Sequence, residues 1–90
     1  MAQVYLPTPL RRLTNGRARV LTAGGTVEEA LADLEQEFPG LREQLRDPNG
    51  EVRSFINVFV NGTEIRRLQG AATPVHATDE ISIVPAMAGG

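Results

Sequence analysis

A chain of 90 residues with a formal charge of −2, no cysteine and one histidine is bounded chemically before any motif is read. It is expected to make one small domain. Disulfides, thiolate metal sites and a cysteine nucleophile are excluded, and a His-ligated metal or a Ser-His-Asp triad lacks its usual members. The charge argues against nucleic acid as the main partner. No apolar run approaches the roughly 18 residues of a membrane span, and the N-terminus lacks a signal-peptide layout, so a soluble cytoplasmic protein is expected. All nine basic residues are arginine. Codon bias or a thermophilic source accounts for that without function. Functionally, an activated C-terminal acyl group would meet no lysine ε-amine here, and guanidinium stays protonated.

Val4-Tyr5-Leu6 opens the chain with the alternation of a half-buried strand, stopped by Pro7 and Pro9. Asn15-Gly16 signals a turn, and Arg17-Ala18-Arg19-Val20-Leu21 reads as a second strand antiparallel to the first. Gly24-Gly25 breaks the chain. Thr26-Val27-Glu28-Glu29 has capping-box spacing, with the Thr26 hydroxyl facing an early helix N–H and Glu29 reaching back to the Thr26 amide. Val27, Ala30, Leu31, Leu34 and Phe38 form one helical stripe for packing on a sheet, with Glu28, Asp33, Glu35 and Glu37 outside. Pro39-Gly40 ends this helix, residues 41–46 predict a shorter one with Leu41 and Leu45 inward, and Asp47-Pro48-Asn49-Gly50 is a loop.

Phe55-Ile56-Asn57-Val58-Phe59-Val60 is the strongest strand signal, rich in β-branched and aromatic residues. Asn61-Gly62 turns it into a hairpin with Thr63-Glu64-Ile65. Residues 66–78 lack periodicity and predict an irregular crossing, with His76 on plain surface. Ile81-Ser82-Ile83-Val84 is the last strand, ended by Pro85. The order places the first and last strands side by side at the centre of a mixed sheet, with the helix across one face, an α+β layout.

Ala86-Met87-Ala88-Gly89-Gly90 follows as a flexible tail. Glycine's backbone freedom and a reach of roughly 17 Å for five extended residues would let it present the Gly90 carboxylate inside another protein's active site. A frayed end is the plain alternative, and two terminal glycines arise by chance in about 0.5% of chains, so the motif needs the body for support.

That body resembles the β-grasp, ubiquitin-like sulfur carriers of the MoaD/ThiS family. The resemblance rests on the run at 55–61, the Asp-Glu-Ile-Ser-Ile-Val-Pro run at 79–85, and Ala88-Gly89-Gly90. Within the family it is most similar to the carriers that feed thiocarboxylate-dependent cysteine synthesis, through the Arg46-Asp47-Pro48 loop and the Pro-Ala-Met-Ala-Gly-Gly end. The resemblance implies a β-grasp domain over 1–85 and a tail over 86–90. It implies that an E1-like adenylyltransferase/sulfurtransferase uses ATP to adenylate Gly90, and that sulfur then displaces AMP to leave a thiocarboxylate. Met87, Ala88 and Gly89 would thread partner active sites. A pyridoxal-phosphate-dependent cysteine synthase would accept the sulfur, and a peptidase would release cysteine. The chain itself would have no catalytic residue, no metal and no bound cofactor.

Alternation puts Ile56, Val58 and Val60 in the core and Phe55, Asn57 and Phe59 on the other face, with Ser82 and Val84 outward. Phe59 and Val84 are therefore the expected docking patch for partners, against the alternative that Phe55 and Phe59 tuck under the 66–78 crossing. Arg11, Arg12, Arg66 and Arg67 read as solvated surface or as contacts to an acidic partner rim. Two other functions stay open: the small subunit of molybdopterin synthase, acting with its large subunit, and a protein modifier joined to lysines through Gly90. Pro85-Ala86 departs from the two prolines frequent in the molybdopterin-synthase small subunits. A small enzyme is disfavoured by the missing nucleophiles and bases.

Overall fold

The computed structural model describes residues 1–86; the expectations for Met87, Ala88, Gly89 and Gly90 lie outside the described residues. Strand β1 (Ala2–Tyr5) buries Ala2 and Val4 and exposes Gln3, as its alternation requires. It leads into a short helix, α1 (Thr8–Arg11), which begins at Pro7 with Pro9 in its first turn and buries Leu10. The sequence was read as a plain break there. Proline's fixed φ suits a first helical turn, where its missing N–H would be unpaired in any case. Asn15 and Gly16, at φ of 56° and 83°, then return the chain to β2 (Arg19–Thr22), antiparallel to β1.

Helix α2 (Val27–Glu37) starts at Thr26, whose Oγ1 accepts the Glu29 N–H at 3.1 Å. The reciprocal contact differs from expectation: Glu29 Oε1 accepts from Gly25 N–H at 2.8 Å, one residue before the Thr26 amide. The apolar stripe Val27, Ala30, Leu31, Leu34 and Phe38 is buried throughout. Glu35, expected outside, is buried as well. It stands four residues after Leu31, at the edge of the inward stripe, where α3 (Leu41–Leu45) and the following loop close over it. Its partner there is Arg46, whose side chain is 5% exposed and whose Nε lies 2.8 Å from Glu35 Oε2. Arg46 also donates to both carboxylate oxygens of Glu28 at 2.9 and 2.6 Å and to the Gly50 carbonyl at 3.0 Å. One guanidinium thus fastens the 47–50 loop to α2, with planar donors matched to planar acceptors.

Strand β3 (Ile56–Val60) turns at Asn61 and Gly62, with φ of 52° and 87°, into β4 (Thr63–Glu64), the positive-φ pair of a tight hairpin. The crossing holds two short 3₁₀ turns, Ile65–Arg67 and Gly70–Ala72, and buries Val75. Strand β5 (Glu80–Pro85) completes a mixed sheet of order β2-β1-β5-β3-β4, in which β5 runs parallel to β1 and antiparallel to β3. The first and last strands are central, as the chain order implied.

Pro85, expected to end β5, belongs to it and lies opposite Ile56. The Ala86 N–H donates to the Phe55 carbonyl at 2.6 Å. That makes the flanking Pro85–Ile56 pair a non-hydrogen-bonded one, which needs no proline donor toward β3. Pairing with β1 stops at Ser82, so no strand asks for the donor on the other side. The core lies between the inner sheet face, with Val4, Val58, Ile81 and Ile83 at 1% exposure or less, and the stripe of α2.

Candidate functional site

The sheet face away from α2 holds the residues expected to dock partners. The strand registers set Arg19, Tyr5, Ser82, Phe59 and Glu64 in one row across all five strands. The next row toward the end of β5 holds Val84 opposite Asn57, and beyond it the Ala86 N–H, on the last described residue, donates to the Phe55 carbonyl. Phe59 and Val84 share this face as diagonal neighbours, since Phe59 is opposite Ser82. Val84 is 42% exposed and Phe55 50%, while Phe59 is half-buried. Phe55 is therefore not covered by the crossing. Leu21, 55% exposed and opposite Gln3 on β1, shares this face but stands on the edge strand level with Glu80, apart from Phe59 and Val84. Strand parity in the sequence, with Val20 inward, could have identified Leu21 as outward-facing.

Arginines surround this apolar surface, and most are held. Arg11 donates from Nη2 to the Tyr5 hydroxyl at 3.0 Å and from Nε to the Leu6 carbonyl at 3.1 Å. Its guanidinium carbon and that of Arg19 lie 5.6 and 5.8 Å from the Tyr5 ring centroid, within cation–π range. Arg53 lies 6.0 Å from the Phe55 ring centroid but donates from Nε to the Glu43 carbonyl of α3 at 3.0 Å, which sets it toward the helical side. Arg66 donates to Asn57 Oδ1 at 2.9 Å and to the Ser54 and Ile56 carbonyls at 3.2 Å, and it lies 3.6 Å from Glu64. Arg66 is thus a fixed part of the face beside β3, whereas Arg12 and Arg67 are exposed. The far end of the sheet is acidic. There Asp79 accepts from the His76 backbone N–H and from Asn61 Nδ2, which hold its carboxyl below the usual range. His76 is exposed and enters only through its backbone.

No reacting constellation accompanies this face. Among the described residues there is no group of His, Cys, Asp and Glu that could hold a metal ion, and no helix is long and apolar enough to cross a membrane. A cleft of about 330 Å³ lies between α2, residues 50–52 and the 64–71 segment. Of its three acids, Glu28 and Glu64 already face Arg46 and Arg66, and Glu51 is exposed.

The model of the ThiS family matches residues 4–90, a span that takes in the terminal diglycine. The chain belongs to the ThiS family. It is 38% identical to the sulfur carrier protein CysO of Mycobacterium tuberculosis over 97% of this chain and 96% of that one. It is 42% identical to small archaeal modifier protein 3 of Haloferax volcanii over 72% of this chain and 70% of that one. Among solved structures, a chain of the Amycolatopsis orientalis BexX/CysO complex superposes with a TM-score of 0.92 at 36% identity, covering both chains fully. The mixed five-stranded sheet with one main helix across a face is thus the ubiquitin-like β-grasp of this family.

Proposed function

We propose that this ThiS-family chain is a sulfur carrier that works through its Gly90 carboxylate. The observation that carries this reading is the nearly full-length similarity to the sulfur carrier CysO, with a family match that runs through Gly90. A carboxylate resists nucleophilic attack because its charge repels the attacker and its oxygen leaves poorly. Attack of the Gly90 oxygen on the α-phosphorus of ATP, in an E1-like adenylyltransferase, releases pyrophosphate and leaves an acyl-adenylate. A persulfide or sulfide sulfur then forms the carbon–sulfur bond as AMP departs, giving the thiocarboxylate. The sulfur is held by the main chain, so a chain with no cysteine can carry it. Docking falls to Phe59 and Val84, beside the exit at Ala86. The acceptor is an aminoacrylate held in a pyridoxal-phosphate-dependent cysteine synthase, whose double bond takes the sulfur, and hydrolysis by a peptidase then frees cysteine and restores Gly90. That a related CysO forms a complex with BexX supports a carrier that serves partner enzymes.

Intact-mass spectrometry of the chain from its native host tests the proposal. The expected species is heavier than the carboxylate form by the difference between sulfur and oxygen, localised to Gly90 and trapped by alkylation so that methionine oxidation is distinguished. A chain that stays a carboxylate in cells with an active activating enzyme overturns it. The similarity to an archaeal modifier protein favours conjugation through Gly90 as a second reading. Higher-mass species bearing an isopeptide at Gly90, formed in cell extract, would establish that one.

A further inference from the structure

The chain is net negative, yet the half of the outer sheet face nearest the exit of β5 is basic. Arg11, Arg19 and Arg66 stand around Tyr5, Phe59 and Val84, and Glu64, beside Arg66, is the carboxylate among them. Among the described residues, no carboxylate lies within ion-pair distance of Arg11 or Arg19. Asp79 and Glu80 lie at the other end, where Glu80 is level with Gln3 of β1. The charge is therefore sorted along the strands.

We infer that this arginine rim is a recognition element in its own right, docking against an acidic surface of the activating enzyme around the apolar Phe59–Val84 contact. The inference rests on the proposal that an E1-like enzyme adenylates Gly90, and it adds the chemistry of the surface that enzyme must present. Guanidinium groups beside an apolar centre match the polar rim and apolar middle of a protein interface. Arg11 and Arg19 share one Tyr5 ring, and Arg11 is also tied to the Leu6 carbonyl. Groups already ordered lose less side-chain entropy on binding. The sorted charge also orients the chain during approach, with the end of β5 ahead of the acidic end. The overall negative charge disfavours nucleic acid as the occupant of this face.

The experiment is ATP–pyrophosphate exchange catalysed by the E1-like adenylyltransferase of the same genome, with the full chain as varied substrate, from about 50 to 500 mM NaCl. Arg19→Glu is expected to raise KM about tenfold at low salt, with kcat unchanged and a shallower loss of kcat/KM with salt than in the wild type. Gln36→Glu combined with Gln44→Glu makes the same change in net charge on the exposed helical side and is expected to leave KM unchanged. Arg19→Gln supplies the comparison should Arg19→Glu not fold, with a smaller rise of the same kind. Equal KM for wild type and the Arg19 variants overturns the inference and leaves the carrier reading intact, as does an equal rise in the glutamine control. A wild-type chain that the enzyme does not adenylate overturns both. Binding of duplex DNA that depends on the same arginines reassigns the face and overturns the inference.

Discussion

Arg46 makes four side-chain hydrogen bonds, although no local pattern in the sequence marks it as buried. Its guanidinium serves Glu28, Glu35 and the Gly50 carbonyl, while Glu35 Oε1 makes no hydrogen bond and lies 3.7 Å from the exposed Arg42. Removing one partner of a buried pair strands the other charge, so Arg46→Met is expected to cost about 3–5 kcal/mol of unfolding free energy, measured by urea denaturation. Replacing Glu35 by leucine in the same chain should recover most of that loss, because a packed apolar pair avoids the desolvation of both ions. Glu28 gives the pH dependence. The Arg46 hydrogen bond holds its carboxyl below the usual 4.5, so its contribution is present above that pH and fades as pH falls through the depressed value. Glu28→Gln should flatten the acid limb of stability against pH; an unchanged limb would show that other carboxylates carry it.

At the scale of elements, α2 is held to its preceding loop by a close approach at Gly24. A Cβ there would lie 2.5 Å from the Ala30 nitrogen and 2.7 Å from the Glu29 carbonyl carbon, both backbone atoms that cannot step aside. Gly24→Ala is expected to destabilise by about 1–3 kcal/mol through this overlap, seen as a lower thermal midpoint. Gly25→Ala should be tolerated, since its nearest neighbour is the movable Glu29 carboxylate at 3.4 Å. The strands were legible from alternation because one face of each is buried, and α2 from its stripe and Thr26 cap. Helix α1 was missed because four residues are too few to show a helical period, and two prolines dominate the local signal. Pro85 was read as a stop because a ladder position that needs no donor is visible only once the partner strand is in register.

For the whole molecule, the outer sheet face and the end of β5 are the parts the proposed function uses. Phe59 is half-buried and Val84 exposed, and neither belongs to the core between sheet and helix. Phe59→Ala should therefore leave the fold in place, checked by its thermal midpoint, while raising the KM for adenylation several-fold through lost apolar contact. Unchanged activation kinetics would remove Phe59 from the docking surface. The expected pairing of Phe59 with Val84 holds as a shared face in diagonal contact positions. The arginines around them come from widely separated stretches: Arg11 from α1, Arg19 from β2 and Arg66 from the crossing.

The alternation of strands, the helical stripe, the turn glycines and the closing diglycine were all present in the order of residues, because each depends on neighbours a few positions away. They were enough for the β-grasp and for Gly90 as the expected reactive end. The burial of Glu35 and Arg46, the place of Pro85 in the sheet and the gathering of arginines at the exit needed the folded chain. Each is a pairing between residues distant in sequence, Arg46 with Glu28, Pro85 with Ile56, Arg19 with Tyr5. Local periodicity carries no information about which surfaces such residues will share.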